Sequence, residues 1–263
     1  MRGLQERAAA TRKLALITGG TSGIGLCVAQ LLADDHDLAL AYAANHERAR
    51  SAQAALEALP SGPAVRLFPG RLRAYEDSRR LVAAALEQFG RPPSVLVHAA
   101  GAIDDALFLT SDFSIHEERI REHLVVGMAL AQLVLRPMYR SKFGRIVNIS
   151  SISARYAKRG QCGYAASKAG LEGFTRALAL EVAHRGITVN AVAPGLIDTP
   201  LVADFIKRLA GNGSLHRMIP AGGVGRPEDV AHLVRFLCSA EARYITGVVY
   251  TVDGGRSLGD AAL

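Results

Sequence analysis

The sequence predicts a single α/β domain, a doubly wound, mostly parallel sheet of seven strands with helices on both faces. Three observations predict it. Short apolar runs alternate with helical patterns from Lys13 onward, with no linker and no internal repeat, so the elements must layer around one sheet. The first apolar run passes directly into a glycine-rich turn and then a helix, the opening βα unit of a nucleotide-binding sheet. Pro194-Gly195 breaks a late strand at its carboxyl end, where open α/β sheets hold ligands.

A chain of 263 residues, 49% of them hydrophobic, has material for one sizeable core. Residues 1–12 are polar and alanine-rich and read as a flexible tail, leaving 13–263 as the single domain. No apolar run reaches membrane-spanning length and the N-terminus is too polar for a signal peptide, so a soluble, cytoplasmic protein is expected. Cys27, Cys162 and Cys238 are too scattered to hold a metal and read as small packed side chains or free thiols. Cys162 has no evident activating partner, which favours packing over a nucleophilic role. The net charge of +7 comes without the aromatic-basic interleaving of a nucleic-acid binder and fits an acidic protein partner or a phosphorylated substrate better.

Lys13-Leu14-Ala15-Leu16-Ile17 is the first strand, followed by Thr18-Gly19-Gly20-Thr21-Ser22-Gly23-Ile24-Gly25 and a helix from Leu26. Glycines let the backbone approach a pyrophosphate, and the helix N-terminus offers it unpaired N–H groups. Leu38–Tyr42 is the second strand. A site for NAD ends this strand with a carboxylate on the adenosine ribose. Ala43-Ala44-Asn45-His46 stands there instead, with Arg48 behind, which favours NADP. Asn45, His46 and Arg48 are candidate partners of a 2′-phosphate; ordinary helix-start and surface roles are the alternative.

A helix follows over Glu47–Leu59, then a strand at Val65–Phe68, a helix over Arg79–Phe89 and a fourth strand at Val95–His98. A long helix spans Ile115–Tyr139, with Pro137 bending or ending it. Arg145–Ile149 reads as a buried strand and Thr188–Val192 as another. From Gly195 to about Pro220 the helical signal is short, and a mobile lid is expected there. Pro227 opens the last helix, and Val248–Val252 is the last strand.

Between those late strands lies the stretch that carries chemistry, Gly163-Tyr164-Ala165-Ala166-Ser167-Lys168, on a helix from Tyr164 to Ala183. Tyr164 and Lys168 fall one turn apart on one face. A neighbouring ammonium is expected to lower the phenol's pKa from about 10 toward neutrality. Such a tyrosine can protonate a carbonyl being reduced. Tyr-x-x-x-Lys alone is common on solvated helices. Its weight here comes from Ser151, thirteen residues before Tyr164, and from the glycine loop.

With these motifs in place, the chain resembles the short-chain dehydrogenase/reductase family, a Rossmann-type fold, from Lys13 to Gly255. Within it the resemblance is to 3-oxoacyl-[acyl-carrier-protein] reductases, carried by Arg185–Thr199 and by Gly225-Arg226-Pro227-Glu228-Asp229-Val230. The resemblance implies NADPH-dependent reduction of a 3-oxoacyl thioester by Ser151, Tyr164 and Lys168. It implies coenzyme contacts at Gly19, Thr21, Ser22, Gly23, Ile24 and Gly25, at Leu72, and at Ala99, Ala100 and Gly101. Tyr164 and Lys168 also face the coenzyme, and Pro194, Gly195, Ile197 and Thr199, with Asn190, hold its nicotinamide end. It further implies a homotetramer, and an acyl carrier protein docking on Lys142 and Arg185; simple dipole-complementing helix ends are the alternative for both. Other ketones, alcohols or acyl-CoA thioesters are the nearest alternative substrates, and a silent NADP-binding sensor or scaffold is a more distant one.

There are four departures from the family's pattern. His98 and Ala99 stand where two asparagines are usual, and Ser22 where many of these reductases carry arginine. Arg71 replaces an adenine-contacting aspartate. His123 replaces an asparagine that holds a water beside the lysine. Histidine can also bond a water and titrates near neutral pH, so His123 is expected to substitute in the proton relay, with a packed or solvated ring as the alternative.

Overall fold

The computed structural model describes residues 12–103, 105–210 and 218–259. Its strands are β1 (Lys13–Thr18), β2 (His36–Tyr42), β3 (Val65–Pro69), β4 (Val95–His98), β5 (Gly144–Ile149), β6 (Ile187–Pro194) and β7 (Val249–Val252). They form one seven-stranded sheet in the order β3-β2-β1-β4-β5-β6-β7. Every neighbouring pair is parallel, so the sheet is wholly rather than mostly parallel. Strand order reverses between β1 and β4, which opens a crevice at their carboxyl ends.

Eight helices flank the sheet among the described residues: α1 (Gly23–Leu32), α2 (His46–Glu57), α3 (Tyr75–Phe89), α4 (Phe113–Ile120), α5 (Val126–Ser141), α6 (Cys162–Val182), α7 (Ala203–Ala210) and α8 (Pro227–Cys238). The side-chain alternation of a strand divides the core in two. On β1, Ala15 and Ile17 pack with Val28, Leu32, Val234 and Leu237 on one face. Leu14 and Leu16 pack with Leu81, Leu130 and Val134 on the other. Burial on both sides is why the central strands read as unbroken apolar runs.

Several boundaries differ from the sequence reading. Residues 1–11 of the expected tail lie outside the described residues, but Arg12 belongs to the fold. Its guanidinium pairs with Asp37 at 3.1 Å and donates to the carbonyls of His36 at 2.8 Å and Ser61 at 3.0 Å, and to that of Ala33. α3 starts at Tyr75 because the Asp77 carboxylate accepts from the N–H groups of Arg73 and Ala74, at 2.9 and 3.0 Å. The long helix is not one α-helix: a π-helical segment, Arg121–Val125, separates α4 from α5. Pro137 lies inside α5 without ending it. The stop comes five residues later at Lys142, a non-glycine residue in the left-handed region (φ +53°) whose N–H returns to the Met138 carbonyl. Part of the expected lid, residues 211–217, lies outside the described residues; before it, α7 runs along one rim of the cavity that holds Tyr164. Among the described residues no helix is long and apolar enough to cross a membrane.

Candidate active site

The glycine loop joins β1 to α1 at the crevice. Gly19 takes a left-handed conformation (φ +68°), and a side chain there would approach the Ala100 backbone to 3.1 Å. A methyl group on Gly25 would run into the Gly19 carbonyl oxygen, so loop and helix touch through bare backbone. Ser22 is extended and its side chain caps no N–H of α1, while the first turn carries no acidic residue. The leading N–H groups are therefore available to an anion. A side chain on Gly23 would lie 3.2 Å from Thr199, which places the β6 exit segment against the same loop.

A cavity of about 280 Å³ runs from here along the carboxyl edge of β1, β2 and β4. Gly19, Thr21, Ser22, Asn45, Leu72, Ala100 and Gly101 line it, as do Arg48 and Arg71. No carboxylate ends β2. Asn45 also caps α2, accepting from the Arg48 N–H at 2.9 Å. His46 is not among the lining residues; its Nδ1 pairs with the Tyr42 hydroxyl at 2.8 Å. Arg71 is turned toward Glu118 (3.7 Å) and Glu122 (3.9 Å), and Glu122 is a lining residue that the sequence reading missed. Open backbone, uncapped N–H groups and Arg48 beyond the end of β2 together fit a nicotinamide dinucleotide.

Ser151, Tyr164 and Lys168 are brought together at the ends of β5 and the start of α6, all three buried. Ser151 and Tyr164 line a second cavity of about 450 Å³, together with Gly195. Pro194 ends β6 beside it, whereas the Ile197 side chain is buried in the core. The Ser151 hydroxyl accepts from the Ser153 N–H at 3.1 Å and is near enough to Tyr164 to affect its ionisation. Lys168 lies beneath the phenol ring, its Nζ 5.6 Å from the ring centroid and donating to the Ile149 carbonyl at 2.8 Å.

The electrostatics correct one expectation. Tyr164 is not made more acidic in this state: burial raises its pKa above 10, and the nearby Ser151 hydroxyl offsets that only in part. The strongly displaced neighbour is Lys168, which burial lowers from 10.5 to about 7. The spacing of the pair was legible in the sequence; their depth was not. A phenol that keeps its proton is nevertheless in the form that an acid requires.

His123 corrects a second expectation. Its ring meets Tyr164 edge-on, with centroids 5.3 Å apart, and its Nε2–H donates to the Ala102 carbonyl at 2.9 Å. Burial, and then the Lys168 charge, push its pKa well below 6.5, so it does not titrate near neutrality. That leaves Nδ1 a buried acceptor with no hydrogen-bond partner among the described residues.

His98 proves structural. Its Nε2–H donates to the His123 carbonyl at 3.0 Å, inside the π-helical segment. Its Nδ1 then accepts from the Thr18 hydroxyl at 2.9 Å, and Thr18 accepts from the Ala100 N–H at 3.1 Å. One imidazole thus ties β1, β4 and the π-helical turn together. Burial and the Lys168 charge lower its pKa from 6.5 to about 4. Between those values the unfolded chain binds a proton that the folded chain does not, so stability falls as pH falls. We expect His98 to contribute a loss of roughly 3 kcal/mol between pH 7 and pH 4. Urea midpoints across that range check it: His98→Asn should show a visibly shallower slope, and an unchanged slope would refute the assignment.

The sequence reading also missed part of the wall of the cavity that holds Ser151 and Tyr164. Asp105 accepts from Lys158 at 2.9 Å and from Gln161 at 2.7 Å, while the Lys158 ammonium sits 4.3 Å from the Phe205 ring centroid of α7. Behind Ser151, the buried Glu172 accepts from Ser150 and Arg155, both at 3.1 Å. That clamps both flanks of Ser151 to the helix that carries Tyr164.

Comparison with known proteins agrees with this architecture. A family model described as enoyl-(acyl carrier protein) reductase matches residues 19–257. The 3-oxoacyl-[acyl-carrier-protein] reductase MabA of Mycobacterium tuberculosis is 37% identical over 246 residues, 93% of this chain and 92% of that protein. The chain belongs to the short-chain dehydrogenase/reductase family. It is similar as well to FabG, the 3-oxoacyl-[acyl-carrier-protein] reductase of Aquifex aeolicus, at 36% identity over 92% of this chain and 96% of the relative. The acetoacetyl-CoA reductase of Shinella zoogloeoides is 37% identical over 93% and 98%. As a member of this family the chain is an oxidoreductase that uses a nicotinamide cofactor.

Proposed function

We propose that this enzyme reduces a 3-oxoacyl thioester, presented by acyl carrier protein, to the 3-hydroxyacyl thioester with NADPH. The observation that carries the reading is the buried Ser151, Tyr164 and Lys168 group, opening on a cavity beside the dinucleotide edge. When bound, the reduced nicotinamide supplies the hydride. Ser151 orients the substrate carbonyl by a hydrogen bond to its oxygen. Tyr164 delivers its phenolic proton to that oxygen as negative charge develops there. Lys168, with its pKa near 7, is poised to return a proton to the tyrosine. His123 serves as a neutral acceptor through Nδ1 beside this group rather than as a titrating relay. With the glycine loop, Arg48 and the absence of a carboxylate at the end of β2 support NADPH over NADH.

Acetoacetyl-CoA and other small ketones are the nearest alternative substrates. The silent-sensor reading is weakened, because the departures at His98 and His123 sit in a hydrogen-bonded framework that leaves the catalytic group intact. For the carrier, Lys142 and Arg185 remain the proposed docking cations. Both precede the strands β5 and β6, whereas Ser151 and Gly195 follow them. One strand length, roughly 20 Å, therefore separates docking residues from the site in the same subunit. In the proposed tetramer these cations would serve a neighbouring subunit.

The test is NADPH consumption with acetoacetyl thioesters of carrier protein and of CoA, repeated with NADH. We expect NADPH to be favoured and Arg48→Ala to raise its KM about tenfold, the scale of one charge-assisted contact, with little effect on NADH. Dinucleotide binding without consumption of any ketone would sink the reductase reading.

A further inference from the structure

We propose that Arg256 makes the large cavity a site for substrates that carry a second, anionic group, a carboxylate on the acyl portion. This extends the reading of that cavity as the substrate site. Arg256 follows β7 and lines the same cavity as Ser151 and Tyr164. It is put there by Gly254 and Gly255, both left-handed (φ +63° and +83°). Side chains on them would meet Ile219 at 2.8 Å and Pro220 at 3.3 Å, so the turn has a fixed seat against that segment.

Among the described residues the guanidinium makes no side-chain hydrogen bond. Its Nη1 is buried and has no hydrogen-bond partner, and among the described residues no carboxylate forms an ion pair with it. The acids of the cavity are engaged elsewhere: Asp105 by Lys158 and Gln161, and Asp204 by Lys207 at 3.8 Å. Arg208 adds a further cation to the wall. A buried N–H left unpaired is costly, and an arginine fork matches a carboxylate's two oxygens. A neutral acyl chain would leave the guanidinium unpaired, and a chain with a carboxylate would pair with the nitrogens that are not buried.

Two measurements test this. The first compares kcat/KM for ethyl acetoacetate, which is neutral, and for the monoethyl ester of 3-oxoglutarate, which carries a carboxylate. We expect the anionic ketone to be favoured by at least about tenfold through KM, the scale of one charge-assisted pair. Arg256→Met should bring the ratio near one, and Arg256→Lys should restore part of it. The second measures calorimetric binding of glutarate to the full chain, which should weaken by about tenfold or more in Arg256→Met. A ratio that is equal in the unmodified chain and Arg256→Met, or equal glutarate binding by both, overturns the proposal. Arg256-dependent glutarate binding with neither ketone reduced would support the subsite and count against the reductase reading instead.

Discussion

Tyr164→Phe is expected to slow ketone reduction by roughly 10²- to 10⁴-fold, the contribution of a positioned general acid. The effect should fall on kcat, because the lost proton matters only as charge builds on the substrate oxygen. NADPH affinity should stay within a factor of about three, since phenylalanine keeps the ring that His123 meets edge-on and that covers Lys168. Removing one buried hydroxyl near Ser151 should change stability by about 1 kcal/mol. Steady-state rates and fluorescence titration of NADPH check both halves. A variant that turns over at a comparable rate would show that another group supplies the proton.

Gly25→Ala should be the most damaging small change at the dinucleotide edge. The added methyl meets a backbone oxygen, that of Gly19, and neither element can swing away as a flexible side chain could. Overpacking of this kind costs about 1–3 kcal/mol of stability. Dinucleotide binding should weaken by at least about a hundredfold, because the loop must open to relieve the contact. Gly173→Ala is the matching control. That glycine lies within α6 with nothing within 4 Å of an added methyl, so it should gain about 0.5–1 kcal/mol from helix propensity. Thermal unfolding and NADPH titration of the two variants give the comparison; equal binding by both would refute the steric account of the loop.

The sheet was legible because strands buried on both faces leave apolar runs that no other element explains, Val95–His98 and Arg145–Ile149 among them. What stayed hidden depended on partners far along the chain. The two polar residues that open β2, His36 and Asp37, look like loop until Arg12 and Arg91 are seen to converge on Asp37. The start of α3 was obscured because its capping carboxylate, Asp77, lies inside the helix rather than ahead of it. At the site, the grouping of Ser151, Tyr164 and Lys168 followed from spacing, but the direction of each pKa followed from burial. Arg256 gave no local signal at all, since its significance lies in which acids do not reach it.

The position of β1 between β2 and β4 has a consequence for biosynthesis. As the polypeptide leaves the ribosome, β1 and β2 can pair early, but the opposite wall of the crevice awaits β4, about eighty residues beyond β1. The glycine loop is therefore made long before there is a pocket for it to serve. Nascent chains halted ahead of Val95 should be unable to retain the coenzyme, however complete the β1–α1–β2 unit looks.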